Sequence, residues 1–404
     1  MKILVLNAGS SSQKSCLYQI DDTLPDLPLE PLWEAKVNWT YQQGTAELKV
    51  KNNQGAVLHA ELPSDRRSQI VSHMLDSLYR GDTQVIDNLS EIDIVGHRVV
   101  HGGQDYRRST IVTAEVKDAI IHLANFAPVH NPANLEGIEA VEQILPDVTQ
   151  VAVFDTAFHS QLPLKAAVYP IPYSFFEQGI RRYGFHGINH QYCLERTAQL
   201  LNRDIKSLRL ITCHLGNGCS LAAIKDGISI DTTMGFTPLE GLMMGSRSGS
   251  VDPGILIHLE REYNYNADKL DEMLNKDSGL KGVSGVSNDM RQIVAASANN
   301  SRAQLALDMY VRSLCQHIGA MLVTLGGLDI LVFTGGVGEN QSSIRAAACA
   351  ALEFIGVQLD KDKNANSPID TDIATSQSSV RVLVIQAQED WAIATECWKI
   401  AKMQ

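Results

Sequence analysis

The segment KILVLNAGSSSQKSCLYQI, residues 2–20, indicates the fold of this chain more clearly than any other stretch. An apolar strand predicted at Lys2–Leu6 is followed by a turn of small residues and by a second strand at Ser15–Ile20. A related unit, LRLITCHLGNGCSLAAI, covers residues 208–224, with strands predicted at Leu208–Cys213 and Ser220–Ile224. The two units have little identity, so the pattern alone leaves an internal duplication open.

Strands and helices alternate along the rest of the chain, which is typical of an α/β protein. The pattern predicts antiparallel sheet at Glu47–Leu62 and an exposed polar loop at Lys361–Ser379. The other predicted elements are buried strands at Ile92–Val100, Val151–Phe154, Ile330–Phe333 and Val380–Ile385, with helices at Leu135–Ile144, Ala303–Thr324 and the C-terminal end.

Length, charge and cysteine content narrow the class of protein. A chain of 404 residues allows two or three domains. With 34 basic and 46 acidic residues the formal net charge is -12, which argues against nucleic acid and anionic membranes as partners. Seven cysteines without a CxxC pair favour reduced thiols over disulfides or zinc. No signal peptide is recognised, so the sequence predicts a cytoplasmic protein.

Three glycine-rich turns follow apolar strands: NAGSSSQK (residues 7–14), HLGNGCS (214–220) and TGGVGEN (334–340). Small residues let backbone N–H groups approach a phosphate, and Lys14 adds a positive charge. Each turn alone is equally compatible with a polar hairpin, and Asn217-Gly218 is a dipeptide favoured in type I′ turns. Neither GxxxxGK[ST] nor GxGxxG occurs. Together the three turns predict one nucleotide held from several sides.

Charged side chains are predicted at strand ends or among small residues, where ligand sites of α/β sheets occur. Asp155 follows a buried strand, Arg98 ends another, and Arg247 lies within GSRSG. Two such arginines suit forked recognition of carboxylate and phosphate oxygens, although each also suits an ordinary structural salt bridge. His186 lies among glycines and aromatic residues, where a buried core histidine is the alternative interpretation.

Nine motifs occur together in one order: NAGSSSQK, HRVVHGG, APVHNP, DTAFH, YGFHG, HLGNGCS, SRSGSVDPG, NDMR and TGGVGEN. On these motifs the chain resembles the acetate kinase family of acetate and propionate kinases over essentially its whole length. The resemblance implies the two-domain α/β fold of the sugar kinase, heat-shock chaperone ATPase and actin superfamily, with duplicated βββαβαβα topology and an active-site cleft between the domains. Residues 1–155 plus 390–404 would contact carboxylate and phosphate, and residues 156–389 would bind the nucleotide.

The resemblance also implies the reaction. It is the reversible, ATP-dependent phosphorylation of acetate to acetyl phosphate and ADP, by direct in-line transfer with Mg²⁺ or Mn²⁺. Propionate and related short-chain carboxylates would also be used. The enzyme would be a cytoplasmic homodimer that binds neither nucleic acid nor membranes.

Roles for individual residues follow from the same resemblance. The catalytic residues would be Asp155, His186 and Arg247, and the residues associated with the metal Asn7 and Glu389. The carboxylic acid would be bound by Arg98, Val100, Val129, His130, Phe185 and Pro238. The nucleotide and its phosphates would contact Lys14, His214, Leu215, Gly216, Asn217, Gly218, Asp289, Met290, Arg291, Gly336, Val337, Gly338, Glu339 and Asn340.

The chain departs from the family pattern in two places. The run Gln386-Ala387-Gln388-Glu389-Asp390 stands where the family commonly has Pro-Thr-x-Glu-Glu, which makes the alignment of Glu389 less direct. Val129 stands where Leu is common, and a smaller side chain in the pocket for the alkyl tail would favour propionate. Because acetate is already ionised at neutral pH, we expect Asp155 to act through Mg²⁺ or its waters rather than as a base.

Two alternatives remain at this point. The first is an ATP-driven clamp like the chaperone and actin relatives, which need no pocket for a small acid. Arg98, His186 and Arg247 beside an apolar lining favour a kinase over the clamp. The second alternative is a butyrate kinase of the same superfamily.

Overall fold

The computed structural model describes residues 1–9, 12–42, 44–63, 67–127, 130–366 and 369–403. The chain forms two units, residues 1–157 with 388–404 and residues 158–387. Each unit contains one sheet. Val129, which is predicted to line the pocket for the alkyl tail, lies outside the described residues.

The first unit is built on one eight-stranded sheet. Its strands are β1 (Lys2–Ala8), β2 (Ser12–Gln19), β3 (Trp33–Gln42), β4 (Thr45–Asn52), β5 (Val57–Pro63), β6 (Ile94–Val99), β7 (Thr110–Ile111) and β8 (Thr149–Phe154). They lie in the order β5-β4-β3-β2-β1-β6-β8-β7. Helices α1 (Arg67–Tyr79), α2 (Ala114–His122) and α3 (Asn131–Ile144) belong to the same unit. Buried side chains of α1, including Ile70 and Met74, form a core with Leu4, Leu17 and Trp33 of the sheet.

The second unit contains a six-stranded sheet. Its strands are β9 (Arg209–Leu215), β10 (Cys219–Lys225), β11 (Ile228–Thr232), β12 (Ile330–Thr334), β13 (Thr371–Asp372) and β14 (Arg381–Val384), in the order β11-β10-β9-β12-β14-β13. Its helices are α4 (Leu164–Ala167), α5 (Ser174–Glu177), α6 (Gly187–Leu201), α7 (Pro253–Tyr263), α8 (Ala267–Lys276), α9 (Gly279–Ser284), α10 (Met290–Ser297), α11 (Ser301–Leu325), α12 (Gly335–Asn340), α13 (Ser342–Ala350) and α14 (Lys361–Ala365).

The two sheets repeat one topology. The run β3-β2-β1-β6-β8 corresponds to β11-β10-β9-β12-β14, and in both runs two antiparallel pairs are followed by two parallel pairs. The strand–turn–strand units at residues 2–20 and 208–224 therefore occupy equivalent positions. The duplication that the pattern left open is present in the fold, although the sequences of the two halves have diverged.

A C-terminal helix, α15 (Glu389–Lys402), completes the first unit. Its inner face packs so closely on β6 that a Cβ at Gly96 would lie 2.5 Å from Cys397 Sγ and 2.7 Å from Ile393 Cγ2. Glycine at position 96 therefore permits the close approach of the helix and the strand.

The long apolar stretch at Ile318–Thr334 is a helix followed by a buried strand, as predicted. Helix α11 ends at Gly326, whose φ of 68° lies in the left-handed region that favours glycine. All five residues of β12 are buried. No helix in the described part of the chain is long and apolar enough to cross a membrane.

The prediction of an exposed loop at Lys361–Ser379 is correct only in part. The described part of this segment contains α14 and β13, which pairs with β14, and Ile373 and Ala374 are buried. The polar composition of the segment suggested exposure, but some of its polar side chains are buried and have their hydrogen-bond partners inside the protein. Arg345 Nε, for example, donates to Asn364 Oδ1 at 2.8 Å, and both side chains are buried.

Three buried histidines predict that the protein loses stability in acid. Burial lowers the pKa of His97, His101 and His159 to about 4, so the native state keeps these rings neutral where an unfolded chain would protonate them. The free energy of unfolding should therefore fall as the pH drops from about 6.5 to 4, by up to ~3 kcal/mol for each histidine. Urea titrations followed by tryptophan fluorescence at several pH values would measure the slope.

Replacing one of these histidines should reduce that slope. His97→Gln should remove the proton uptake of one ring, whereas His73→Gln, at an exposed position, serves as the matched control. An unchanged slope for His97→Gln would show that burial of this ring does not control acid unfolding.

Candidate active site

Three strand ends bring together the polar residues of the first unit. Strands β1, β6 and β8 are parallel neighbours, so their carboxyl ends lie at one edge of the sheet. Asn7 lies near the end of β1, Arg98 near the end of β6, and Asp155 directly after β8. The sheet therefore places an amide, a guanidinium and a carboxylate side by side.

Arg98 and Asp155 form a buried ion pair. Nε and Nη2 of Arg98 both donate to Asp155 Oδ2, at 3.0 and 2.5 Å. Burial disfavours the charged form of Arg98, but the carboxylates of Asp155 and Glu389 outweigh it and raise its pKa. Burial also raises the pKa of Asp155, against the effect of Arg98. The other Asp155 oxygen, Oδ1, is buried and has no hydrogen-bond partner among the described residues.

The first turn of α15 supplies two further carboxylates. Asn7 Nδ2 donates to Asp390 Oδ1 at 2.9 Å and to Glu389 Oε2 at 3.3 Å. Asp390 Oδ2 also pairs with Lys14 Nζ at 2.7 Å, and this carboxylate is one reason why the pKa of Lys14 is raised although burial opposes it. The sequence motifs did not predict a role for Asp390, although it directly follows Glu389 in the chain.

The oxygen atoms of this cluster fit a divalent cation such as Mg²⁺. Asn7, Asp155 and Glu389 offer only oxygen donors, which hard cations prefer. The buried Asp155 Oδ1 without a donor is the kind of atom that a cation would satisfy. In the described ranges, no group of three or more His, Cys, Asp or Glu side chains is arranged so that it could hold a metal ion.

In the second unit, the backbone conformation of His186 and the contacts of its ring fix the position of the side chain. Its φ of 57° is left-handed, and it immediately precedes α6. The ring lies 4.2 Å from that of His214 in a stacked arrangement, and Nδ1 lies 2.9 Å from Ser220 Oγ. A Cβ at Gly218 would lie 3.5 Å from both His186 Nε2 and Arg247 Nη1. His186, Arg247 and the glycine turn are therefore close together.

The turn between β9 and β10 is not a type I′ hairpin. A type I′ turn needs positive φ at both central residues, and none of the described residues Gly216, Asn217 and Gly218 has one. A Cβ at Gly245 would lie 2.2 Å from Asn217 Oδ1, so the turn is packed against a second small-residue loop.

A cavity of about 700 Å³ lies in the second unit. Its lining combines apolar side chains with short polar ones, which suits a purine and a ribose. The lining residues are Gly216, Asn217, Leu280, Asn288, Asp289, Met290, Arg291, Gly336, Val337, Asn340 and Gln341. Eight of these are among the predicted nucleotide residues, whereas Leu280, Asn288 and Gln341 were not predicted.

Two predicted nucleotide residues are already engaged within the protein. Glu339 Oε1 accepts from the backbone N–H groups of Gly335 and Ala387, both at 2.9 Å, which ties α12 to the segment after β14. Asp289 caps α10 and pairs with Arg291 Nη2 at 2.6 Å, and this hydrogen bond is the main reason why the pKa of Asp289 is lowered.

The residues predicted to line the acid pocket belong to both units. Val100 and Phe185 are buried, in the first and the second unit respectively. The Pro238 carbonyl accepts from Arg247 Nη1 at 3.1 Å. His130 immediately precedes α3.

The two units have sheets of one topology. The first unit has a carboxylate–arginine cluster, and the second has glycine turns around a cavity. Together these features define an enzyme that transfers phosphoryl groups. Such a protein needs donors for anionic oxygens on both its substrates. The chain belongs to the acetokinase family, whose model matches residues 2–395.

Known proteins agree with this assignment. An acetate kinase of a Cyanothece species is 65% identical over 401 residues, covering 99% of this chain and 98% of its own. The crystal structure of Porphyromonas gingivalis acetate kinase is 40% identical with a TM-score of 0.91, covering 99% of both chains. A propionate kinase from Francisella tularensis is 37% identical with a TM-score of 0.89, covering 98% of this chain and 99% of its own. The predicted family, fold and activity, ATP-dependent phosphorylation of acetate, are confirmed.

Proposed function

We propose that the enzyme transfers the γ-phosphoryl group of ATP directly to a carboxylate oxygen of acetate, with Mg²⁺ as the divalent cation. The cluster of Asn7, Arg98 and Asp155 is the observation that carries this proposal. A bound acetate is already ionised at neutral pH and needs no general base. Catalysis then consists mainly of positioning the reactants and neutralising the charge on the transferring group.

Arg98 would hold the carboxylate. It has five N–H groups, and three of them account for its contacts with Asp155 and Asn7. The other two have no partner among the described residues and suit a planar carboxylate. The ion pair with Asp155 keeps the guanidinium in place.

His186 and Arg247 would donate hydrogen bonds to the oxygens of the transferring phosphoryl group. Their proximity to Gly218, within the glycine turn, supports this assignment. Lys14 and the turn at residues 214–218 would contact the other phosphates, and the cavity of the second unit would take the adenosine.

Asn7, Asp155 and Glu389 would hold the cation. When bound, Mg²⁺ would neutralise phosphate charge and orient the β- and γ-phosphates. Asp390 would keep Asn7 oriented, because its two oxygens contact both Asn7 and Lys14.

Trapping of the product by hydroxylamine tests the proposed reaction. Enzyme with ATP, Mg²⁺ and acetate should form acetohydroxamate, and the corresponding hydroxamate should form in smaller amounts from propionate and least from butyrate. The control is the same reaction without Mg²⁺ and with a chelator, which should form no hydroxamate. Hydrolysis of ATP without hydroxamate from any C2–C4 acid would instead favour the ATP-driven clamp.

The enzyme is also proposed to be a homodimer. Helix α7 has no buried residue, although Ile255 and Ile257, on different sides of it, are each about half exposed. Nearby in sequence Val251 is exposed as well. Exposed apolar side chains on more than one side of a helix are typical of an interface, and a second copy of the chain would bury them.

Light scattering on a sizing column would measure the mass. We expect a dimer for the wild type and a monomer for the double variant Ile255→Glu, Ile257→Glu, since two charges would be buried at the interface. Leu27→Glu, at an exposed leucine of the first unit, should stay dimeric. A wild-type monomer, or a double variant that remains dimeric, would contradict this interface.

A reducing compartment such as the cytoplasm is proposed from the cysteines. None of the seven, all within the described ranges, forms a disulfide. Six of them are buried.

A further inference from the structure

A chain of hydrogen bonds leads from His186 into the interior of the second unit. His186 Nδ1 lies 2.9 Å from Ser220 Oγ, which lies 2.8 Å from His190 Nε2. His190 Nδ1 in turn lies 2.6 Å from Thr212 Oγ1. Ser220, His190 and Thr212 are fully buried.

Local structure explains why these groups meet. His186 and His190 are four residues apart at the start of α6, so their rings lie on one face of the helix. Thr212 on β9 and Ser220 on β10 lie on the sheet that this face covers, on adjacent antiparallel strands. None of the three contacts involves an exposed side chain.

The hydrogens in this chain can be assigned. Burial lowers the pKa of His190 far below its usual value, so the ring is neutral and has one donor and one acceptor nitrogen. Thr212 Oγ1 has one hydrogen-bond partner among the described residues, His190 Nδ1. If Nδ1 carried the proton, the buried Thr212 hydroxyl hydrogen would have no acceptor, which is costly.

The direction of the whole chain follows. Thr212 donates to His190 Nδ1, and His190 Nε2–H donates to Ser220 Oγ. Ser220 then donates its single hydrogen to His186 Nδ1. The His186 ring therefore accepts at Nδ1 and carries its proton at Nε2, a nitrogen that lies near Gly218.

We propose that Thr212, His190 and Ser220 are positioning residues that hold His186 in the Nε2–H tautomer. This inference rests on the proposed function, in which His186 donates to the transferring phosphoryl group. The opposite neutral tautomer would present a lone pair to the phosphoryl oxygens and could not donate. A buried partner that sets the tautomer of a functional histidine acts at one remove from the substrate.

The side chain of Thr212 offers a matched pair of variants. Thr212→Val removes the hydroxyl and keeps the shape, whereas Thr212→Ser keeps the hydroxyl. Without the hydroxyl, either orientation of the chain leaves one His190 nitrogen without a partner, so the preference for one tautomer should disappear. Ser220→Ala removes the contact to His186 itself.

Long-range ¹H–¹⁵N correlation spectra of protein labelled with ¹⁵N-histidine would report the tautomer. The His186 signals can be assigned from a His186→Asn sample. In the wild type and Thr212→Ser we expect the Nε2–H form in at least about tenfold excess. In Thr212→Val we expect a mixture, with kcat lowered several-fold and KM for ATP unchanged. Circular dichroism would confirm that each variant is folded.

The spectra separate the two proposals. An Nδ1–H tautomer in the wild type, or the same tautomer in Thr212→Val as in Thr212→Ser, would overturn the positioning role. A tautomer mixture in Thr212→Val with full kcat would support the hydrogen-bond chain and contradict the proposed role of His186 in the reaction.

Discussion

Replacement of Arg98 with alanine is expected to lower kcat/KM for acetate by about 100- to 1,000-fold, the usual effect of losing a donor to a charged transition state. The variant should also lose stability, by about 3–5 kcal/mol, because the Asp155 carboxylate would remain buried without its partner. Steady-state kinetics and urea unfolding would measure the two effects separately.

Lysine at position 98 distinguishes charge from geometry. Arg98→Lys keeps the positive charge, but an ammonium group cannot reproduce the fork that contacts Asp155 through Nε and Nη2. We expect activity close to that of the alanine variant, and the same behaviour for Arg247→Lys. Lysine variants within about twofold of the wild type would contradict these assignments.

A second arginine–carboxylate pair provides the control. Arg196 Nε donates to Asp370 Oδ2 at 2.7 Å, and the Arg196 side chain is largely buried. Arg196→Ala should destabilise the protein while kcat/KM of the remaining folded enzyme stays near that of the wild type. Loss of activity in Arg98→Ala would then reflect the site rather than the loss of a buried ion pair.

Replacement of Asp155 with asparagine is expected to lower kcat by about 100-fold or more and to weaken cation binding. The change keeps the shape of the side chain but removes its negative charge. It can also put an amide NH₂ group in the place of the buried Oδ1, which has no hydrogen-bond partner among the described residues. Binding of Mn²⁺ in the presence of ADP, followed by electron paramagnetic resonance, measures the cation independently of turnover.

Asp231 offers the matched control for this change. Asp231 is a partly buried carboxylate, and burial raises its pKa as it does that of Asp155. Its Oδ2 accepts a hydrogen bond from Thr324 at 3.4 Å. Asp231→Asn should alter neither Mn²⁺ binding nor kcat. If Asp155→Asn retained near-normal turnover and cation dependence, Asp155 would act neither through Mg²⁺ nor by transferring a proton.

The sequence pattern singled out polar residues of the first unit but not the residues that they contact. Asn7, Arg98 and Asp155 were recognisable because polar side chains at the ends of apolar strands are locally conspicuous. That Arg98 pairs with Asp155 was not readable, since 57 residues separate them. The contact between Asn7 and Asp390 spans 383 residues and was missed for the same reason.

By itself the sequence determined the strands, the glycine turns and the family, because burial patterns and small residues act over short stretches of chain. Only the tertiary structure showed that the two halves share one topology, since strand order depends on pairing between distant segments. It also decided that the segment Lys361–Ser379 contains a helix and a strand, and that Thr212, His190 and Ser220 form a hydrogen-bond chain to His186. Hydrogen bonds require atoms about 3 Å apart, and residues from separate elements reach that distance only once the sheet and its helices have packed.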